Sequence, residues 1–107
     1  MTNYEKAAVL KKDLQKIVKK YRDAQPKRID YRGKLVSPEY PKAMLTGQQM
    51  SKGTATINFG YNCEANHDNL ADFAASDSFK SFCEKHDIRV GAKEINSDNR
   101  VQLRMYF

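Results

Sequence analysis

Residues 88–107 read IRVGAKEINSDNRVQLRMYF, and much of the topology turns on them. Ile88, Val90 and Ala92 alternate with Arg89 and Lys93 on one arm; Val101, Leu103, Met105 and Phe107 alternate with Arg100, Gln102, Arg104 and Tyr106 on the other. A period of two sends successive side chains to opposite faces of a strand, so each arm has an apolar face and a polar, cationic one. Asn96-Ser97-Asp98-Asn99 separates the arms with residues that hydrogen-bond their own backbone. A terminal antiparallel hairpin is expected.

Upstream, Ala55, Ile57, Phe59 and Tyr61 alternate with Thr54, Thr56, Asn58 and Gly60, which predicts another half-buried strand. Between this strand and the hairpin, the apolar periodicity breaks. Leu70, Phe73 and Ala74 define one helical face, whereas Phe79, Phe82 and Cys83 fall about half a turn out of phase. Ser76-Asp77 stands at the break as an N-cap, so two short helices are expected, near 69–75 and 77–86.

At the other end, Ala7, Leu10, Leu14, Ile17 and Tyr21 mark one face of a helix over 3–23, with Val18 widening the stripe. Thr2 or Asn3 can cap it, and Pro26 stops it. Residues 26–53 are less regular: a short hairpin is expected around Arg32-Gly33, then a turning path through Pro38 and Pro41, then a helical turn or loop at 43–50. The predicted fold is α+β. An antiparallel sheet of three to five strands carries the N-terminal amphipathic helix and the central helical pair on one face. The predicted core comprises Leu10, Leu14, Ile17, Ile57, Phe59, Phe73, Phe79, Phe82, Val90, Leu103 and Met105.

The chain has 107 residues, 40% of them hydrophobic, and is expected to form a single domain. Its basic helix and loop occupy 3–42, and its sheet and helical pair occupy 54–107. The longest apolar run, Ala7–Leu10, is far short of the roughly 20 residues a bilayer crossing needs, and no signal peptide is apparent. Two cysteines are too few for a disulfide scaffold, so reduced thiols and a cytoplasmic location are expected.

Charge is the first functional clue. The net charge of +6 is uneven: residues 1–42 hold twelve Lys/Arg against five Asp/Glu, and residues 43–107 hold seven against eight. The excess therefore lies in the helix and the loop after it, at Lys11, Lys12, Lys16, Lys19, Lys20, Lys27, Arg28, Arg32 and Lys34. Arg100, Arg104 and Tyr106 form a second patch on the polar face of the hairpin. Cations bind phosphates and aromatic rings stack on bases, so the expected partner is nucleic acid, a nucleic-acid-handling complex or an acidic protein surface. Tyr106 is the only aromatic expected on that sheet face, with Tyr31 and Tyr40 available from the loop.

Two alternatives compete. If the C-terminal strand lies at the sheet edge, it can add a partner strand or form a homodimer, as a protein-binding inhibitor or adaptor does. The second alternative is a small zinc-binding domain, because Cys63, His67, Cys83 and His86 hold every Cys and His within one window. Their Cys-His-Cys-His order is unusual for such a site, and free thiols with surface histidines are the simpler expectation. No nucleophile elbow, phosphate loop, zinc-protease helix or dinucleotide fingerprint occurs. A binding protein without cofactor is expected; a small nuclease using His, Lys, Arg and Tyr is the enzymatic option, since it needs no motif.

Overall fold

The computed structural model describes residues 1–107. Asn3–Asp23 forms helix α1. Its start is a capping box: the Thr2 side chain accepts from the Glu5 amide, and the Glu5 carboxylate accepts from the Thr2 amide. Two donors that a helix start would otherwise orphan are thereby satisfied. Ala7, Leu10, Leu14 and Val18 are the buried stripe, with Ile17 and Tyr21 half-buried at its margin.

Two short strands follow, β1 (Arg28–Ile29) and β2 (Leu35–Val36), paired only with each other. Then come β3 (Lys42–Met44), helix α2 (Gly47–Lys52), β4 (Thr54–Tyr61), helices α3 (Glu64–Ala75) and α4 (Asp77–Lys85), and strands β5 (Arg89–Ile95) and β6 (Arg100–Tyr106). The main sheet is antiparallel, in the order β3-β4-β6-β5. Ala55, Ile57 and Phe59 of β4 and Val101, Leu103 and Met105 of β6 meet α1, α3 and α4 in a single hydrophobic cluster. The fold is α+β, with the amphipathic helix and the helical pair on one sheet face.

Strand addition or homodimerisation through the C-terminal strand required that strand to lie at the sheet edge, and this order does not meet the condition. Strand β6 is paired on both sides, so its backbone groups are already used. The edges are β3 and β5. The order also corrects the predicted core, because Val90 sits on the outermost strand and is 41% exposed.

The helical break falls at Ser76, as the phase shift predicts. Ser76 Oγ accepts from the Phe79 amide at the start of α4 and donates to the Phe73 carbonyl at the end of α3. Helix α3 begins at Glu64 rather than near residue 69. The only buried residue of its first turns is Asn66, whose amide donates to the Tyr61 carbonyl at 2.8 Å, so no apolar stripe betrays the turn. No helix is long and apolar enough to cross a membrane.

Two side chains of α1, Asp13 and Tyr21, tie it to the helical pair. Asp13 accepts from Lys85 and pairs with His86 at 2.9 Å, and these hydrogen bonds hold its carboxyl below the ordinary carboxylate range. Tyr21 donates to Asp72 at 2.9 Å. Burial, helped by that carboxylate, pushes the Tyr21 phenol up to about 12. An unfolded chain releases this proton from about pH 10, whereas the folded one retains it. The resulting stabilisation is complete below pH 10 and is lost as pH rises towards 12. The denaturation midpoint is therefore expected to fall between pH 10 and 12, and less steeply in Tyr21→Phe; equal slopes for the two proteins would refute the assignment.

Candidate functional site

The face of the sheet opposite α1, α3 and α4 holds the site, and two β-bulges shape it. In β4 the register shifts between Asn58 and Gly60, so Phe59 and Gly60 together oppose Val101. The extra residue turns Tyr61 from the core side, where strict alternation places it, to the open face, where it is paired with Arg100 and 65% exposed. Asn58 Oδ1 accepts from the Gly60 amide at 2.8 Å and holds the bulge shut. Gly60 has φ +100°, and a Cβ there would stand 3.0 Å from Asn66 Nδ2 and 3.3 Å from the Tyr40 ring. Backbone strain of this kind costs about 1–3 kcal/mol, so Gly60→Ala is expected to lose that much in urea denaturation. An unchanged midpoint would show that the bulge relaxes freely.

The second bulge, at Gly91–Ala92, corrects the expected partition of β5. Arg89 does lie on the open face, opposite Tyr106, with its guanidinium 4.3 Å from the ring centre. Lys93 does not, because the extra residue sets it opposite Leu103 on the helix side. Glu94 takes its place opposite Gln102, and there it accepts from Arg104 at 2.8 Å and from Gln102 at 3.3 Å. Arg104 is therefore already partnered by a carboxylate.

Arg100 is different. It has no ion pair. Its guanidinium donates to the Tyr40 hydroxyl at 2.7 Å and lies 4.5 Å from the Tyr61 ring centre. Tyr40 comes from the proline-flanked approach to β3 and also faces Lys42 Nζ, 5.1 Å from its ring centre. The open face thus carries three tyrosines, not one, and each has a cation against its ring.

The face is recessed as well as cationic. Thr56 and Asn58, outward residues of β4, are buried at 3% and 8% exposure. The segment from Tyr40 through α2 walls them in, and Gln49 of α2 donates to Thr56 Oγ1. The hollow has a volume of about 490 Å³ and is lined by Lys42, Arg100, Arg104, Gln102, Thr56 and Asn58, among others. Beyond Tyr40 it adjoins a second cavity of about 620 Å³ that includes Tyr61, Asn66, Lys27 and Arg28. Tyr40 lines both hollows, and two of the loop cations, Lys27 and Arg28, border the second.

The remaining sequence candidates are dispersed. Lys11, Lys12, Lys16, Lys19 and Lys20 are exposed on α1, in the layer on the other side of the sheet from Arg100. They do not share one surface with the open face. Arg32 and Lys34 lie at the tip of the β1–β2 hairpin. The four zinc candidates are not brought together, and no cluster of three metal-ligating side chains exists anywhere in the chain. Cys63 precedes α3, and both cysteines are free. His67 Nε2 lies 2.6 Å from Asn62 Oδ1, while His86 is taken up by Asp13. Cys83 packs against the core, where burial pushes its thiol up.

Sequence reading missed Tyr61, Lys42 and the polar floor. The Asn-Phe-Gly at 58–60 is the one local signal, since glycine within a strand often marks a bulge. No family model, no curated protein and no solved structure matches this chain.

Proposed function

We propose that the protein is a non-catalytic nucleic-acid-binding module that takes single-stranded DNA or RNA along the open face of its sheet. The observation that carries this reading is Arg100, held between Tyr40 and Tyr61 without a carboxylate partner at the edge of a recessed polar trough. A guanidinium fixed in this way offers its remaining donors to a phosphate, and the exposed Tyr61 ring offers a stacking surface to a base. From Arg100 to Tyr106 the outward residues of β6 span about 20 Å, long enough for several nucleotides. The α1 lysines add long-range attraction from the opposite side. Two free thiols fit a reducing compartment such as the cytoplasm.

The test is direct. Labelled single-stranded and duplex DNA and RNA are titrated with the protein at low salt and again at rising salt. Binding to single strands that weakens linearly with the logarithm of salt concentration is expected. Failure of all four probes at low salt removes the proposal. A protein-partner reading then gains ground at β5, where the edge strand leaves Val90 and Ile95 exposed. Capture from lysate with and without nuclease distinguishes the two.

A further inference from the structure

The β1–β2 hairpin stands apart from the main sheet, and its apolar side chains are open to solvent. Tyr31 is 88% exposed, Ile29 72% and Leu35 60%. Three large apolar side chains exposed together on so small an element make it a candidate interaction site. The tip is also rigidly built. Asp30 Oδ1 accepts from the amides of Arg32 and Lys34 at 2.9 Å each, the Gly33 amide closes the turn on the Asp30 carbonyl, and Gly33 has φ +76°. Against the single carboxylate of Asp30, turned onto the backbone, the hairpin carries the cations Arg28, Arg32 and Lys34. Arg32 Nε donates to the Tyr31 hydroxyl and its guanidinium lies over the ring. An ordered turn thus displays one aromatic ring among cations.

Position links this element to the trough. The cavity beside Tyr61 is also lined by Lys27, Arg28 and Val36, at the base of the hairpin. Tyr61, which meets Arg100 on the sheet face, thus shares that cavity with the hairpin base. We infer that the hairpin is a second arm of the same site, recognising the end of a duplex from which the bound single strand emerges. The π-face of a terminal base pair suits Tyr31, and the flanking phosphates suit Arg32 and Lys34. The ligand class is then a junction between single-stranded and duplex nucleic acid. This inference rests on the sheet-face reading.

The experiment compares three labelled probes by fluorescence anisotropy: a single strand, a blunt duplex and a fork combining them. The native chain is expected to bind the fork at least tenfold more tightly than either component. Tyr31→Ala, at an exposed position whose fold is checked by thermal melting, is expected to erase that preference and leave single-strand affinity within twofold. Single-strand binding without a fork preference overturns the inference alone, as does a Tyr31→Ala variant that loses fork and single-strand affinity in parallel. Absence of single-strand binding overturns the sheet-face reading together with it. Capture of a protein that depends on Tyr31, without any fork preference, would assign the hairpin to a protein partner instead.

Discussion

Phe73→Ala is expected to lower the free energy of unfolding by about 3–5 kcal/mol. Phe73 is 1% exposed and joins three elements. Its ring centre lies 5.3 Å from Tyr21 of α1, 5.8 Å from Phe59 of β4 and 4.9 Å from Phe79 of α4. Truncation therefore loses the transfer energy of a buried ring and the edge-to-face contacts, and it leaves a void that four elements would have to close together. Domains of this size have only about 5–15 kcal/mol in total, so the variant should sit near the limit of folding. Equilibrium urea denaturation at neutral pH measures the effect, with exposed Tyr61→Ala as a control expected to stay within about 0.5 kcal/mol. A loss under 1 kcal/mol at Phe73 would mean that the aromatic cluster is not packed as described.

Arg100→Ala carries the second large effect, on affinity. A hydrogen bond to a charged group contributes about 1.5–3 kcal/mol, so single-strand binding should weaken by roughly 10- to 100-fold and the salt slope should shrink by about one phosphate contact. Tyr61→Ala should lose about 1–3 kcal/mol through stacking, with little change in the salt slope. Because the two side chains touch, their losses should not add. Arg100→Lys separates charge from geometry: it should retain the salt slope yet recover only part of the affinity, since an ammonium cannot stack on Tyr61 as a guanidinium does. Replacing Lys12, Lys16 and Lys19 by Glu should slow association without abolishing binding, as these residues lie across the sheet from the trough. If those changes abolish binding while Arg100→Ala leaves it intact, the interface is α1 and the sheet-face assignment fails.

Several features of this chain were open to a sequence reader because they depend on neighbours close in the chain. The span of α1, its Thr2 cap, the break at Ser76 and the hairpin between β5 and β6 all follow from periodicity and capping within a few residues. The start of α3 escaped notice because its buried position is filled by Asn66, a polar residue that satisfies itself on the Tyr61 carbonyl. The candidate site was only half legible. Arg100, Arg104 and Tyr106 follow from the parity of β6, and Thr56 and Asn58 from that of β4, but the burial of those two and the placement of Tyr40 and Lys42 beside them arise only because a distant segment folds over the sheet.

Sequence alone established the α+β class, the amphipathic helix, the two strand arms and the uneven charge, since hydrophobic periods of 3.6 and 2 and the capping residues act locally. Three things needed the folded chain. Strand order put β6 inside the sheet, which no local pattern encodes, because pairing is chosen by what else packs nearby. The bulges at Phe59–Gly60 and Gly91–Ala92 reversed the faces of Tyr61 and Lys93, because a bulge is an extra residue measured against a partner strand, and one strand read by itself has no partner to count against. The sheet itself then divided the basic residues, leaving the α1 lysines on one side and uniting Arg100 with the tyrosines on the other.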